Sequence, residues 1–213
     1  MHLSQLETAV QGGTSSDQNI LGFGCQGPAG NVCADDFTLG TAATITGFSV
    51  FSYITGSTTV QTTGVNWAIG AAPVVQSGLT LTAGSSSFWQ VGGKDVYRVS
   101  STTTSDANRH IVKTTVTGLN IAVGPGTYFL SFSVNPGNFT PVLPSTLATH
   151  GKNMQQSLAG GAFAPALDGI APNTYGADMA FVIEGQPVPE PASMIALGLG
   201  AAALAARRRR NKK

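Results

Sequence analysis

Three aspartates are the residues of this sequence that most resemble a set of metal ligands, in type and in placement. Asp35 and Asp36 directly precede the first strongly apolar segment of the chain, and Asp178 directly precedes the last one. If these two segments form neighbouring strands, the three carboxylates would converge, and carboxylate oxygens in a flexible arrangement are what Ca²⁺ binds. The alternative is that each aspartate caps a strand end or an Asx-turn. The sequence therefore predicts either a structural calcium ion or three local caps.

Two cysteines, Cys25 and Cys33, enclose the short segment Gln26-Gly27-Pro28-Ala29-Gly30-Asn31-Val32. The Gly-Pro-Ala-Gly part of this segment turns tightly enough to bring the two Cα atoms within bridging range. Neither a histidine nor a third cysteine lies nearby in sequence, which argues against a metal site or a catalytic thiol. In an exported protein, this spacing predicts a disulfide between Cys25 and Cys33.

One tryptophan is a candidate for binding sugar rings. Phe88 and Trp89 follow a Gly/Ser-rich stretch, where exposed aromatic side chains often belong to binding surfaces. Trp67 differs, because it alternates with Val65 and Ile69 and is therefore expected in the core. Trp89 is thus the residue on which a polysaccharide-binding hypothesis rests.

Motifs of common enzyme classes are absent from the sequence. There is no G-x-S-x-G nucleophile elbow, no P-loop and no dinucleotide fingerprint between a strand and a helix. The three histidines are scattered without metal-ligand spacing, and no feature selects Asp95, Asp106 or Asp168 as paired acids for glycoside hydrolysis. We therefore expect a protein that is not an enzyme, with a hydrolase of unrecognised site as the third alternative.

Charged residues make up only 10% of the 213 residues, against about 25% in an average soluble domain. Such a polar but uncharged composition is typical of an exported, β-rich protein. Of the 11 lysines and arginines, those at 207–210, 212 and 213 lie at the carboxyl end, so the rest of the chain has five basic residues against ten acidic ones, Glu190 included. This mildly acidic body is a poor ligand for phosphates, and we expect no nucleic-acid partner.

The body, residues 20–186, is predicted to be all-β. Apolar and polar residues alternate with a period of two in 65–69, 128–134 and 179–184, and Gly, Pro, Asn and Ser mark turns between such segments. Weaker strands are predicted at 37–39, 44–53, 58–62, 96–100 and 111–116. About eight short strands with turns between them predict an antiparallel β-sandwich, jelly-roll-like in its connections.

Two segments of the chain fit this pattern less well. The stretch 139–173 lacks clear alternation, and Met154–Leu158 is predicted to form one helical turn. Residues 1–19 are expected to be disordered or truncated, because Met1–Glu7 has neither a basic region nor an apolar run. An export signal is therefore expected upstream of the sequence as given.

The carboxyl end has three consecutive parts. Pro189, Glu190 and Pro191 form an extended stretch, because proline fixes φ and removes backbone donors. An apolar run from Ala192 to Ala206 follows, and its 15 residues would span about 22 Å as a helix, short of a hydrocarbon core of about 30 Å. Snorkelling arginines and local thinning can close that gap. One transmembrane helix is therefore predicted after the sandwich.

Four consecutive arginines, Arg207, Arg208, Arg209 and Arg210, follow the apolar run. Positive charge of this kind is held on the cytoplasmic side of a membrane. The body, on the amino-terminal side of the helix, is therefore expected across the membrane from these arginines.

Together, Val188-Pro189-Glu190-Pro191-Ala192-Ser193, the apolar run and the arginine cluster resemble the PEP-CTERM sorting signal of Gram-negative bacteria that make exopolysaccharide. The resemblance implies that residues 187–213 are a sorting signal. It further implies that an exosortase, a membrane cysteine protease or transpeptidase, recognises Pro189, Glu190 and Pro191 and separates the body from its anchor.

The body is also similar to domains found in front of this signal, through Ala34-Asp35-Asp36-Phe37 and the segment 178–185. That similarity implies a β-sandwich and no particular ligand. The prediction is a non-catalytic exported protein of the cell envelope or extracellular matrix, held at the inner membrane in transit and processed by an exosortase. The alternative is a polysaccharide-binding module whose ligand would be the exopolysaccharide.

Overall fold

The computed structural model describes residues 2–4, 22–98, 108–135, 142–143, 145–147, 153–170 and 173–188. Within these residues the chain is almost entirely β, with short 3-10 helices at Gly27–Ala29 and Gln76–Gly78. The strands are β1 (His2–Ser4), β2 (Phe23–Gly24), β3 (Val32–Leu39), β4 (Ala43–Tyr53), β5 (Gly64–Gly70), β6 (Thr80–Thr82), β7 (Ser85–Phe88), β8 (Gln90–Val91), β9 (Lys94–Asp95), β10 (Ile111–Val123), β11 (Gly126–Asn135), β12 (Val142–Leu143), β13 (Ser145–Leu147), β14 (Gln155–Ser157), β15 (Ala164–Pro165), β16 (Leu167–Ile170), β17 (Asn173–Met179) and β18 (Phe181–Pro187).

The first large sheet has the strand order β1-β18-β4-β10-β7, and β12 joins β4 and β2 at one end. All its pairings are antiparallel. Strand β4 lies between β10 and β18, so both of its backbone edges are paired. It is rich in β-branched and aromatic residues, which fit a pleated surface buried on both sides.

The second large sheet has the order β15-β14-β3-β11-β5-β6. Strand β11 pairs with β3 from Gly126 opposite Leu39 to Phe132 opposite Cys33. The face of β11 away from the core is covered as well. The Ser131 hydroxyl accepts a hydrogen bond from the Val74 backbone N–H at 2.9 Å, so its polar group is satisfied although buried.

Aromatic side chains join the two large sheets into one core. Phe48 of β4 meets Trp67 of β5 edge-to-face with ring centroids 5.2 Å apart, and Phe37 of β3 meets Phe181 of β18 at 6.2 Å. Edge-to-face pairs of this kind add to the free energy gained from burying the rings. The inner faces of the two sheets therefore pack on each other.

A second, smaller cluster lies on the opposite face of the first sheet. Phe51 and Tyr53 point there because they alternate with Val50 and Ser52 along β4, and Ile111 and Val182 join them. The hairpin β8–β9 and the residues around it cover this cluster. Two further small sheets, β13-β17-β16 and β8-β9, complete the described structure.

The all-β, antiparallel fold predicted from the sequence is confirmed, and the predicted strands at 44–53, 65–69, 111–116 and 128–134 lie within observed ones. Three local predictions are wrong. Of the predicted strand 96–100, the described residues 96–98 contain only an isolated bridge between Tyr97 and His110. Residues 58–62 form no strand, and 154–158 contain strand β14 rather than a helical turn, because β14 pairs with β3. The jelly-roll-like connection of the strands stays a prediction.

Both ends of the chain reach beyond the described residues. His2–Ser4 pair with β18, and the rest of the predicted segment 1–19 lies outside the described part. The predicted membrane helix at 192–206 also lies outside it. Among the described residues, no helix has the length and apolar character needed to cross a membrane.

Candidate functional site

Strand β18 carries the body to its carboxyl end. It pairs with β4 from Phe181 opposite Val50 to Pro187 opposite Ala43, with a register shift between Glu184 and Gly185. Glycine is required at 185, because a Cβ there would lie 2.6 Å from the Thr44 carbonyl oxygen. The close approach of the two backbones at this shift keeps β18 attached to β4 up to its last residue.

One hydrogen bond extends this attachment beyond the strand. The Val188 N–H donates to the Ala42 carbonyl oxygen at 2.9 Å. Pro189 has no N–H to donate, so the ladder cannot continue through it in the same way. The sorting residues Pro189, Glu190 and Pro191, and Arg207 to Arg210, lie outside the described residues. The predicted motif thus begins one residue after a backbone position that is tied to the sheet.

The three aspartates singled out from the sequence all lie inside the body. Asp35, on β3, shares the core-facing side of its strand with Cys33 and Phe37, and it is fully buried. Asp178, on β17, is also fully buried, and Asp36 is buried on the other side of β3. The predicted proximity of the first and last segments is therefore present, but in the interior rather than at a surface.

The Asp35 carboxylate is held by main-chain donors. Its Oδ2 accepts a hydrogen bond from the Met179 N–H at 2.7 Å, and its Oδ1 accepts one from the Asp36 N–H at 2.9 Å. The first bond joins β3 to β17 across 144 positions of sequence. Asp35 therefore acts as a buried connection between two sheets.

The pKa of Asp35 is raised from its ordinary value of 3.8 to about 8. Burial is the largest cause, the charges of Asp178 and Asp36 act in the same direction, and the two backbone hydrogen bonds oppose the rise. Desolvation disfavours the ionised form of a carboxyl, whereas N–H donors favour it. Because the net shift is upward, Asp35 is mostly protonated at neutral pH. Protonation also relieves its repulsion with Asp178.

This arrangement gives little support to the predicted calcium ion. No group of three or more His, Cys, Asp or Glu side chains in the described part of the chain is placed to hold a metal ion. The two oxygens of Asp35 already accept hydrogen bonds from the backbone. Calcium binding by Asp35, Asp36 and Asp178 stays a prediction from the sequence alone, and the hydrogen bonds of Asp35 fit a structural role.

The predicted disulfide is not present: Cys25 and Cys33 are free thiols, and both are buried. The Cys25 Sγ donates a hydrogen bond to the Phe132 carbonyl oxygen at 3.0 Å. Burial raises the pKa of the Cys33 thiol well above its usual value, with a hydrogen bond to Cys25 and the charge of Asp35 adding to the rise. The short segment between the cysteines does bring the two side chains together, but they meet as hydrogen-bonded thiols.

Trp89 lies between β7 and β8, outside both strands, as the sequence predicted, but its side chain is only partly exposed. Trp89 is half-buried and packs edge-to-face on Phe51 at 4.9 Å, as part of the second cluster. Its backbone N–H donates to the Ile111 carbonyl oxygen at 2.7 Å. Most of its packing is therefore structural, and sugar binding by Trp89 stays untested.

Four side chains come together in the segments next to Trp89, and we call Phe88, Tyr97, His110 and Asp95 the aromatic corner. The His110 ring stacks on Phe88 at 4.5 Å and lies 4.4 Å from Tyr97. Its Nε2 is 3.5 Å from the Asp95 carboxylate. The sequence named Phe88 beside Trp89 and Asp95 as an unselected acid, but it did not predict that the four side chains meet, because they come from separate segments.

A family model described as the PEP-CTERM protein-sorting motif matches residues 187–210. The match begins at Pro187, the last residue of β18, and includes the Pro-Glu-Pro stretch, the apolar run and the four arginines. No curated protein and no solved structure matches the chain. Signals of this kind are recognised by an exosortase, and they imply export and processing at the membrane.

Proposed function

We propose that this chain, as the bearer of a PEP-CTERM sorting motif, is a non-catalytic exported protein that its carboxyl-terminal helix tethers to the inner membrane until an exosortase separates body from tail. The observation that carries the proposal is the position of the motif relative to the fold. Main-chain hydrogen bonding of the body extends to Val188, and the Pro-Glu-Pro stretch follows at once.

Each part of the tail has a role in this proposal. Pro189 and Pro191 keep the chain extended around Glu190, and a protease groove binds substrates in that form. The apolar run from Ala192 to Ala206 holds this stretch at a set height above the lipid, and the arginines keep the far end in the cytoplasm. The protein is the substrate of the reaction, and the exosortase supplies the catalytic groups.

The released body is proposed to serve in the cell envelope or extracellular matrix. Its support is the low content of charged residues and the interior placement of the acid groups at 35, 36 and 178, which leaves a surface rich in neutral Ser, Thr and Gly. Such a surface stays hydrated without attracting counter-ions. A structural protein with a rigid, all-β body fits these features.

Processing is tested by changing the motif alone. In cells that contain the exosortase, the full chain is expected to lose the mass of its tail, whereas the variant Pro189→Ala/Glu190→Ala/Pro191→Ala keeps it. Pro165→Ala, at an exposed proline of β15, is the control and is expected to be processed normally. Mass spectrometry of the membrane and extracellular fractions measures both species. Normal processing of the triple variant, or an unprocessed wild-type chain in such cells, would overturn the proposal.

Polysaccharide binding is the alternative role for the body. The half-buried rings of Trp89 and, in the aromatic corner, of Phe88 and Tyr97 are its support, because partly exposed aromatic faces can stack on sugars. Titration of the body with the exopolysaccharide should then change tryptophan fluorescence, and Trp89→Phe should weaken the change. A wild-type signal that stays constant at saturating polymer would rule the alternative out.

A further inference from the structure

Three backbone segments meet at the end of the body from which the tail leaves. The β3–β4 turn (40–42) holds Val188, the β10–β11 turn (124–125) follows Val123, which pairs with Ala43, and β18 ends beside the same residue. Leu39 and Gly126 face each other just inside these turns. We call these turns, together with residues 185–188, the neutral end.

The neutral end has no ionisable acid or base over long stretches of sequence. Residues 37–47, 114–134 and 185–188 contain no Asp, Glu, Lys, Arg or His. Among the described residues, the ionisable residues that come next to this end along β18 are Glu184, opposite Gly47, and His2 of β1, which pairs with Glu184. Tyr128, whose hydroxyl donates to the Gly124 carbonyl oxygen at 3.1 Å, also belongs to this region. Tyrosine is enriched where proteins meet the interface between lipid and water.

Basic residues lie toward the opposite end of the body. Lys113 pairs with Phe51 near the far end of β4. Arg98 and Arg109 are joined by a backbone hydrogen bond beside it, and Lys94 lies in the β8–β9 hairpin. The 11 residues of β4 separate the two ends by about 33 Å at roughly 3.3 Å per residue. The charge of the body is therefore distributed unevenly along its long axis.

The connection between the neutral end and the apolar run is short. From Val188 to Ala192 the chain advances four positions, which span at most about 14 Å when fully extended. The polar layer on one side of a bilayer takes up roughly 5–8 Å of that length. The neutral end consequently cannot move more than several ångströms from the lipid headgroups while the tail is inserted. Glu190 is the one ionisable residue within this connection, and the neutral end held beside the headgroups adds no further charged side chain that contact would desolvate.

We propose that, before processing, the neutral end of the body rests on the lipid headgroup layer and is held there by the short connection after Val188. This inference rests on the proposed function, because it requires the tail to be in the membrane. The partner is the lipid–water interface itself. The basic end then points away from the membrane, and the exosortase must reach its motif in the narrow gap below the body.

The test uses two exposed threonines as matched labelling sites, one at each end. The full chain is reconstituted in vesicles that contain a nitroxide on the lipid headgroup, with a fluorophore on Thr41→Cys or on Thr58→Cys. The native thiols are buried, so the unsubstituted chain is the labelling blank. We expect strong quenching at 41, in the neutral end, and little at 58, beyond the far end of β4.

A third variant tests the connection. A ten-residue Gly/Ser spacer between Val188 and Pro189 adds an average reach of about 17 Å, so quenching at 41 should fall by at least half. Vesicle flotation is measured on the same samples. Equally weak quenching at 41 and 58 in chains that float would overturn the inference and leave the tether intact. Strong quenching at 41 despite the spacer would overturn the role of the connection, and a chain that does not float would overturn the proposed tether and the inference together.

Discussion

Aspartate has different surroundings and hydrogen-bond partners in the interior and in the aromatic corner. Asp35 is inaccessible to solvent and accepts its hydrogen bonds from two main-chain N–H groups. Asp95 keeps 27% of its side-chain surface exposed and is paired with side chains, Gln90 at 2.8 Å and His110 at 3.5 Å. One acid is held by the backbone of the fold, and the other by neighbours that can move.

This difference shows which acid the fold depends on. Removing Asp35 leaves the N–H groups of Asp36 and Met179 buried without that acceptor, and water cannot easily replace it. Removing Asp95 leaves its partners at a partly hydrated surface, where an ion pair contributes little. A carboxylate in the core is therefore not by itself a sign of chemistry, because it can serve as an acceptor that joins two sheets.

The largest expected effect comes from deleting the interior carboxylate. At pH 5, where Asp35 takes up its proton at little cost, Asp35→Ala should lower the free energy of unfolding by about 2–5 kcal/mol, because two buried donors lose their acceptor. Asp95→Ala, the matched change in the aromatic corner, should cost no more than about 1 kcal/mol. Urea unfolding followed by tryptophan fluorescence measures both. Similar losses for the two variants would contradict the proposed difference between Asp35 and Asp95.

The second prediction concerns pH. The pKa of Asp35 is about 8 in the folded protein, against an ordinary value of 3.8. Between these values the folded state binds the extra proton, so the stabilising effect of protonation is complete below the lower value and is lost as pH rises through the upper one. Stability should therefore fall between pH 5 and 8, by up to about 1.4 kcal/mol per pH unit.

Asp35→Asn removes this titration and should flatten the profile, even if it lowers stability at every pH. Asp95→Asn is the control and should keep the wild-type slope. Urea midpoints at pH 5, 6, 7 and 8 give the three profiles. An Asp35→Asn profile as steep as that of the wild type would show that another group is responsible.

The smallest effect is expected at the thiols beside Asp35. Burial and the raised pKa of Cys33 keep it in the unreactive thiol form. Folded protein at pH 8 should therefore take up almost no iodoacetamide within minutes, whereas unfolded protein takes up two equivalents. Intact-mass spectrometry counts the additions. Protein that takes up none after unfolding without reductant would mean that the two cysteines are oxidised in solution.

The alternation of apolar residues was sufficient to predict the strands of the core. Residues 128–134 and 65–69 became β11 and β5, because a period of two places one side of each strand in an apolar interior. Segment 58–62 has similar β-branched residues but no neighbouring strand to pair with, and it stays irregular. Intrinsic preference decides only where a partner is present.

The buried aspartates show more clearly what a local sequence pattern cannot predict. Placement at the first and last strong segments predicted correctly that Asp35 and Asp178 would approach each other. Full burial, and the hydrogen bond from Met179, depend on how β17 lies against β3, which no local pattern encodes. The alternation did contain a signal for burial, since Asp35 shares its side of β3 with Cys33 and Phe37.

The state of the thiols and the packing of Trp89 could not be predicted for a related reason. A short Gly/Pro segment predicts that Cys25 and Cys33 are close. It does not predict that the Cys25 thiol donates a hydrogen bond to the Phe132 carbonyl oxygen. A Gly/Ser-rich neighbourhood predicted exposure of Trp89, yet its ring packs edge-to-face on Phe51. In both cases the deciding partner comes from a distant part of the chain.

The inner position of β18 has a consequence for when the molecule can be completed during its synthesis. β18 lies between β1 and β4 and supplies Phe181 and Ile183 to the core. Until the ribosome has added residue 187, β1 and one edge of β4 lack their partner strand, and the core lacks Phe181 and Ile183. A cell thus has nearly the whole time of translation to thread this polypeptide outward as a pliable chain. The sheet can then close at nearly the same time as the apolar run at 192–206 is synthesised.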